Sequence, residues 1–195
     1  MISDQTPQEL LEKFTAHLLD VNRKINLVSR QDSFKVVDDL IADSLAILKL
    51  IDYPHSARVL DVGSGAGFPW IVHKILRQDL RIISVDSNQR KIEFQRESAR
   101  ILGLKQCVFH SARIETMAEL AADFCIAKAL GSVELICELT ARHLKASGKL
   151  VLPRSAKEVI DAIAVETLGF VVESDKEYEA AGRMAKLLVL RKERR

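Results

Sequence analysis

Two stretches near the start of the chain carry apolar residues at helical spacing. "PQELLEKFTAHLLDV" (7–21) has Thr6 in front as an N-cap and Pro7 in its first turn, which predicts a helix over those residues. A second stripe runs through Phe34, Val37, Ile41, Ser44, Leu45, Leu48 and Ile51, one face of a second helix. The polar connection "RKINLVSRQDS" separates them, and Pro54 and His55 break the pattern.

The chain then alternates. Short β-branched runs, "ARVLDV", "LRIISVD", "QCVFH", "DFCIAKA" and "GKLVLP", are spaced by amphipathic stretches at about 69–78, 88–102, 113–121, 132–145 and 155–167. Strand–helix–strand at this rhythm predicts a parallel sheet covered on both faces. After residue 168 the rhythm changes: "GFVVESDKEYE" and "RMAKLLVLRKE" meet at an Ala-Ala-Gly turn with no helix between them. The expected fold is therefore α/β, a doubly wound, mostly parallel seven-stranded sheet closed by an antiparallel hairpin. Residues 1–54 read as an N-terminal helical segment and 55–195 as the ligand-binding domain.

Composition narrows the class. The chain has 195 residues, 48% of them apolar and 29% charged, with a formal charge of only +2. No apolar run is long enough to span a bilayer, so no membrane association is expected. "MISDQTPQELLEKF" has neither the basic start nor the apolar stretch of a secretory signal, and a cytoplasmic protein is expected. Cys107, Cys125 and Cys137 lack CxxC spacing and sit in apolar runs, so they read as buried free thiols. The five histidines show no metal-ligand spacing, and no metal is expected. Basic residues cluster at Arg90, Lys91, Arg96 and Arg100, at Lys145, Lys149, Arg154 and Lys157, and in the closing "RKERR". Solvated helix faces and a frayed tail are the favoured account of these clusters, so charge by itself decides little.

The chemistry lies in "LDVGSGAGFPW" (60–70), where Gly63, Gly65 and Gly67 follow Asp61 between a strand and a helix. In an open parallel sheet, ligands bind beyond the carboxyl ends of the strands, beside the first strand. A plain tight turn is the alternative. The spacing is G-x-G-x-G, not the G-x-G-x-x-G that brings a helix N-terminus to a pyrophosphate, which disfavours a nicotinamide cofactor. Asp86 ends the next strand, where a carboxylate accepts hydrogen bonds from both ribose hydroxyls of an adenosine. Capping of the following helix is the other role open to it, although Ser87 is there to do that. Adenosine without a diphosphate points to S-adenosylmethionine.

"NRKINLVSR", "DSL" (43–45), "VLDVGSGAGFP", "VDSNQRKIEFQR" and "SARIE" together resemble the bacterial 16S ribosomal RNA guanine-N7 methyltransferases, the glucose-inhibited division protein B family. The resemblance covers roughly residues 10–155 and implies a class I, Rossmann-like methyltransferase acting on ribosomal RNA or the small subunit. It puts cofactor contacts at Gly63, Phe68, Ile114, Glu115 and Lys128. Phe68 would wall the methionine end, and the backbone at Ile114 and Glu115 would meet the adenine edge. The chain departs from the family pattern at Asp39, Leu40, Trp70, Lys128, Pro153 and Arg154. Lysine at 128 keeps the charge of the family's arginine and loses its planar fork.

Guanine N7 presents an in-plane lone pair with no proton, so its methylation needs positioning and no general base. Lys128 and Arg154, at carboxyl ends of strands, are candidate contacts to substrate or cofactor. Phe68 and Trp70 are candidate stacking groups at the pocket rim, with helix packing the favoured role for Trp70. Another RNA or small-molecule acceptor, or a non-catalytic adenosine-binding module, are the competing readings.

Overall fold

Thr6 starts the first helix as its sequence suggests. In the computed structural model, which describes residues 5–193, its hydroxyl accepts from the Glu9 N–H, and Glu9 returns a bond to the Thr6 N–H at 2.7 Å. The first four residues and the last two arginines of the basic tail lie outside the described residues. Helix α1 (Pro7–Asn22) buries Leu10, Phe14 and Leu18, and α2 (Ser33–Leu50) buries Val37, Ser44 and Ile47. Between them the Asn22 side chain turns the chain by accepting from the Leu27 and Val28 N–H groups at 2.9 and 3.1 Å.

The β-branched runs form β1 (Arg58–Val62), β2 (Arg81–Asp86), β3 (Cys107–Ser111), β4 (Ala122–Ala127) and β5 (Leu144–Ser155). The hairpin supplies β6 (Phe170–Ala180) and β7 (Arg183–Lys192). Their order is β3-β2-β1-β4-β5-β7-β6, with β7 antiparallel to both neighbours and the other pairings parallel. The chain winds outward from β1 to β3, then crosses to β4. The carboxyl ends of β1 and β4 thus flank the switch point where such sheets bind ligands.

Strand alternation divides the core between the two faces. Val59, Ile82, Phe124, Ile126 and Val151 meet α1, α2, α3 (Trp70–Leu76) and α4 (Gln89–Ile101) on one face. Leu60, Val62, Cys125, Leu150 and Leu152 meet α5 (Val133–Thr140) and α6 (Ala162–Thr167) on the other.

Three expected helices come out differently. The stretch 113–121 forms only a 3-10 turn at Ile114–Thr116. Its carbonyls have other partners: His143 Nε2 lies 3.1 Å from the Ile114 oxygen, and Arg142 bonds the Met117 oxygen. The stretch 132–145 is helical only to Thr140, then makes a 3-10 turn over Ala141–His143 before β5 begins. In 155–167 the helix waits for Asp161, whose carboxylate accepts from the N–H groups of Ile163 and Ala164, both at 3.0 Å. Cys107 is only partly buried, whereas Cys125 and Cys137 are enclosed.

His73 lies wholly inside, between Tyr53 and α2. Its Nε2 is 2.9 Å from the Ser44 carbonyl and its Nδ1 3.3 Å from the Tyr53 hydroxyl. A neutral ring donating from Nε2 and accepting at Nδ1 satisfies both. Burial pushes the ring down to about 4, from the ordinary 6.5. The unfolded chain therefore takes up this proton first as pH falls, so the contribution is present above 6.5 and lost between 6.5 and 4. Unfolding free energies from denaturant curves at pH 7 and pH 4 should differ by about 3 kcal/mol more in the wild type than in His73→Gln.

Candidate functional site

The glycine loop leaves β1 and is tied to the end of β2. Gly63 and Ser64 donate their N–H groups to the Val85 carbonyl at 2.9 and 3.2 Å, and Gly67 donates to the Ser64 carbonyl at 2.8 Å. Gly63 has φ +69, and a Cβ there would stand 2.7 Å from Leu130 Cδ1. At Gly67 an added Cβ would strike Ile71. Close packing explains both glycines. Gly65, at φ +55, has no neighbour nearer than the Gly63 carbonyl oxygen at 3.8 Å.

Asp86 is locked to this loop. One carboxylate oxygen accepts from the Gly65 N–H at 2.9 Å and the other from the Asn88 N–H at 2.8 Å. Each oxygen keeps a lone pair for a further donor. The cap of α4 is neither Asp86 nor Ser87: Asn88 accepts from Arg90 and Lys91. Asp61, beneath the loop, is fully enclosed; burial pushes its carboxyl well up, and the Trp70 N–H partly offsets this.

Beside the loop runs a crevice of about 400 Å³, whose lining includes Gly63, Asp86, Ile114, Glu115, Leu130 and Leu139. Ile114, Leu130 and Leu139 supply apolar walls, and the Asp86 carboxylate stands among them. A flat heterocycle joined to a diol fits this combination. A carboxylate at the β2 end accepts from ribose hydroxyls, and the G-x-G-x-G spacing of the loop lacks the third glycine of a pyrophosphate site. The residues present suit the adenosine part of S-adenosylmethionine.

Phe68 and Trp70 are not at a rim. Trp70 has no exposed surface, and its Nε1 donates to Gln95 Oε1 at 2.7 Å. Phe68 is buried with its ring 5.4 Å from that of Phe14. Both rings belong to the core behind the loop, where Trp70 has the packing role and neither ring faces out to stack on a substrate base.

Two further cavities open beyond the crevice. One, of about 330 Å³, is bounded by Asp43, Lys128, Arg154, Glu158 and Tyr178, and shares Ala129 with the crevice. The other, of about 390 Å³, lies between α2 and the β6–β7 turn and is bounded by Val36, Leu40, Asp43, Lys128 and Met184. Lys128 and Asp43 form an ion pair that borders both, and the Tyr178 hydroxyl donates to the second Asp43 oxygen at 2.8 Å. Of the sequence departures, Asp39, Leu40, Lys128, Pro153 and Arg154 border these cavities, while Trp70 does not. The Arg154 side chain is 8% exposed, and one guanidinium nitrogen donates to the Gly131 carbonyl at 2.6 Å. Cys125 and Cys137 face away in the α5 layer; burial raises Cys125 well above the ordinary thiol value and Cys137 to about 12.

Several residues around the loop escaped sequence reasoning. Gln95, wholly buried on α4, donates from Nε2 to Ser64 Oγ at 2.9 Å and to the Gly65 carbonyl at 2.8 Å. Ser84 Oγ lies 2.6 Å from Gln95 Oε1 and 2.7 Å from Ser64 Oγ. One glutamine thus holds the loop, β2 and α3 in register. A polar residue in the apolar stripe Ile92–Gln95–Ala99 was the available signal. The pairing of Asp43, first residue of the "DSL" mark, with Tyr178, 135 residues away, left none.

No described helix is long and apolar enough to cross a membrane, and no group of described His, Cys, Asp or Glu side chains is arranged to hold a metal ion. Comparison with solved structures returns the same architecture. An S-adenosylmethionine-dependent methyltransferase from Aquifex aeolicus superposes with a TM-score of 0.62 at 18% identity, covering 90% of this chain and 97% of that one. At the sequence level, "Ribosomal RNA small subunit methyltransferase G" of Geobacter sp. (strain M21) is 36% identical over 163 residues, 81% of this chain and 74% of that protein. The protein of the same name from Streptococcus pneumoniae serotype 19F (strain G54) is 32% identical over 192 residues, 93% of this chain and 81% of its own length. The family described as rRNA small subunit methyltransferase G matches residues 7–181, and the chain belongs to that family.

Proposed function

We propose that this methyltransferase modifies N7 of a guanine in 16S ribosomal RNA, acting in the cytoplasm on RNA of the small subunit. S-adenosylmethionine supplies an electrophilic methyl group when bound. The observation that carries the reading is the shared border of crevice and cavity at Ala129, between the ends of β1 and β4. A nucleoside cofactor on one side and an acceptor base on the other would meet there.

In this reading Asp86, held by two backbone N–H groups, orients the ribose hydroxyls without further side-chain freedom to lose. Gly63 and Gly65 let the backbone run close beneath the ligand. Ile114 closes the apolar floor, and the backbone at Glu115 offers polar groups to the adenine edge. Phe68 acts from behind, by packing the loop against α1. Lys128 meets the substrate or the cofactor carboxylate from the cavity wall, and Arg154 does so from the end of β5. The 55–195 unit carries the chemistry, and the 1–54 segment borders the acceptor side through α2.

Nothing in the acceptor chemistry calls for proton removal, because N7 has a free lone pair. A carbon-5 acceptor would need a thiolate, and burial keeps Cys125 and Cys137 protonated. Nucleoside mass spectrometry of 16S RNA from cells with and without the gene tests the proposal. The expected loss is one 7-methylguanosine per small subunit. An unchanged 7-methylguanosine content, or loss of a different methylated nucleoside, would overturn it.

A further inference from the structure

Helix α2 leads away from the acceptor cavity, and what lies along it has no part in holding a cofactor. Its first turn carries Phe34, an aromatic residue left 61% exposed. Phe34 borders a surface cavity of about 470 Å³ together with Arg23, Arg30, Ser33, Asn22 and Leu19. Arg23, Lys24 and Arg30 are all exposed, and their side chains make no ion pair or hydrogen bond among the described residues. Asp20 and Asp32 are the carboxylates nearest in sequence, and neither pairs with these arginines. The next groove along α2 is bordered by Val36, Leu40 and Asp43 on the helix and by Arg183 and Met184 from the hairpin. Met184 is 55% exposed. Asp39, on the same groove, is matched by Lys35 at 3.1 Å.

Ser33, Val36, Leu40 and Asp43 follow each other at three- and four-residue steps, so they form one stripe of the helix. The nine steps from Phe34 to Asp43 advance about 14 Å along the helix axis. A basic, aromatic cavity, a groove and the acceptor cavity thus succeed one another on a single rigid element. We propose that this stripe is the track for the single-stranded RNA flanking the target base. At its head, in the cavity that Ser33 shares with Phe34, Phe34 stacks on an unpaired base and Arg23 and Arg30 contact its phosphates. The proposal rests on the ribosomal RNA reading above and adds the surface that holds the strand.

Charge complementarity selects the occupant. Unpaired guanidinium groups beside an exposed ring suit a polyanion with flat, unstacked bases. Any base offers a face to Phe34, so the platform holds the strand while the acceptor cavity selects the nucleotide. The Asn22 turn keeps the platform in place, since its two bonds to Leu27 and Val28 fix the connection that carries Arg23 and Arg30.

The test uses the full chain and small subunits purified from cells lacking the gene. Phe34→Ala should raise KM for the subunit about tenfold, and Phe34→Tyr should restore it. Arg23→Gln with Arg30→Gln should raise KM similarly and reduce the slope of log affinity against log salt by about 0.7 for each phosphate contact removed. In all of these kcat and S-adenosylmethionine affinity should stay at the wild-type value. An unchanged KM and salt slope would overturn the track. So would a weaker affinity with an unchanged slope, which would mean that the patch meets a ribosomal protein. Equal losses in cofactor and subunit affinity would reduce the patch to a structural role. Failure of the ribosomal RNA reading would show separately, as a wild-type protein that leaves these subunits unmethylated.

Discussion

Gly63→Val is expected to fold and to lose S-adenosylmethionine binding by at least about a hundredfold, or roughly 3 kcal/mol. Position 63 combines three constraints. Its N–H is fixed on the Val85 carbonyl, so the backbone cannot swing aside. Its φ of +69 disfavours a β-branched residue, at a cost of about 1–3 kcal/mol in fold stability. The new Cβ would stand 2.7 Å from Leu130 Cδ1, and Leu130 is a wall of the crevice. A leucine side chain can rotate, which is why the fold survives. The volume it must vacate or occupy belongs to the ligand, which is why binding does not. Gly65→Ala is the comparison: the same backbone sign, φ +55, but no neighbour nearer than 3.8 Å, so a much smaller loss is expected. Isothermal titration beside a denaturant curve measures both quantities on the same samples. Full affinity in folded Gly63→Val would refute the assignment of this crevice to the cofactor.

The switch point was legible because its signals are local. β-branched runs bounded by turn residues give strands wherever they occur, and an acidic residue at the end of the second strand stays next to the loop after the first. What misled was local too, but incomplete. Residues 113–121 and 155–167 have the apolar spacing of helices, but side chains from elsewhere overrode the first and a cap inside the stretch shortened the second. Arg142 and His143 take carbonyl groups that a helix at 113–121 would use for itself. Asp161 delays α6 by capping it late in its stretch. Trp70 illustrates a third case. Its position beside the glycine loop is evident in the chain, but whether its ring turns outward or inward depends on Gln95, which waits 25 residues later to receive its N–H. Asp43, Lys128 and Tyr178 come from α2, the end of β4 and β6, and only the closed sheet brings them together.

Gln95→Leu carries the other large effect, on stability first and binding second. The side chain is wholly enclosed and serves the Trp70 indole, the Gly65 carbonyl and the hydroxyls of Ser64 and Ser84, all within 2.9 Å. Leucine fills a similar volume, so the loss is one of hydrogen bonding and not of packing. It strands the indole N–H and the Gly65 carbonyl, neither of which has another protein partner at hand, and each buried unpaired group costs about 1–3 kcal/mol. The two hydroxyls can still bond each other at 2.7 Å, which limits the damage. A destabilisation of about 3–5 kcal/mol is expected from the two orphaned groups and the loss of register. Trp70→Phe removes the indole partner alone, so it should cost less than Gln95→Leu, and the double variant should cost less than the sum of the two. Affinity for S-adenosylmethionine should fall in Gln95→Leu and hardly at all in Trp70→Phe, because only the first releases Gly65 and, through it, Asp86. Urea unfolding of the three variants gives the cycle, and titration of the folded fractions gives the second comparison. Strict additivity, or equal affinity losses in both single variants, would mean that Gln95 supports the fold without holding the loop.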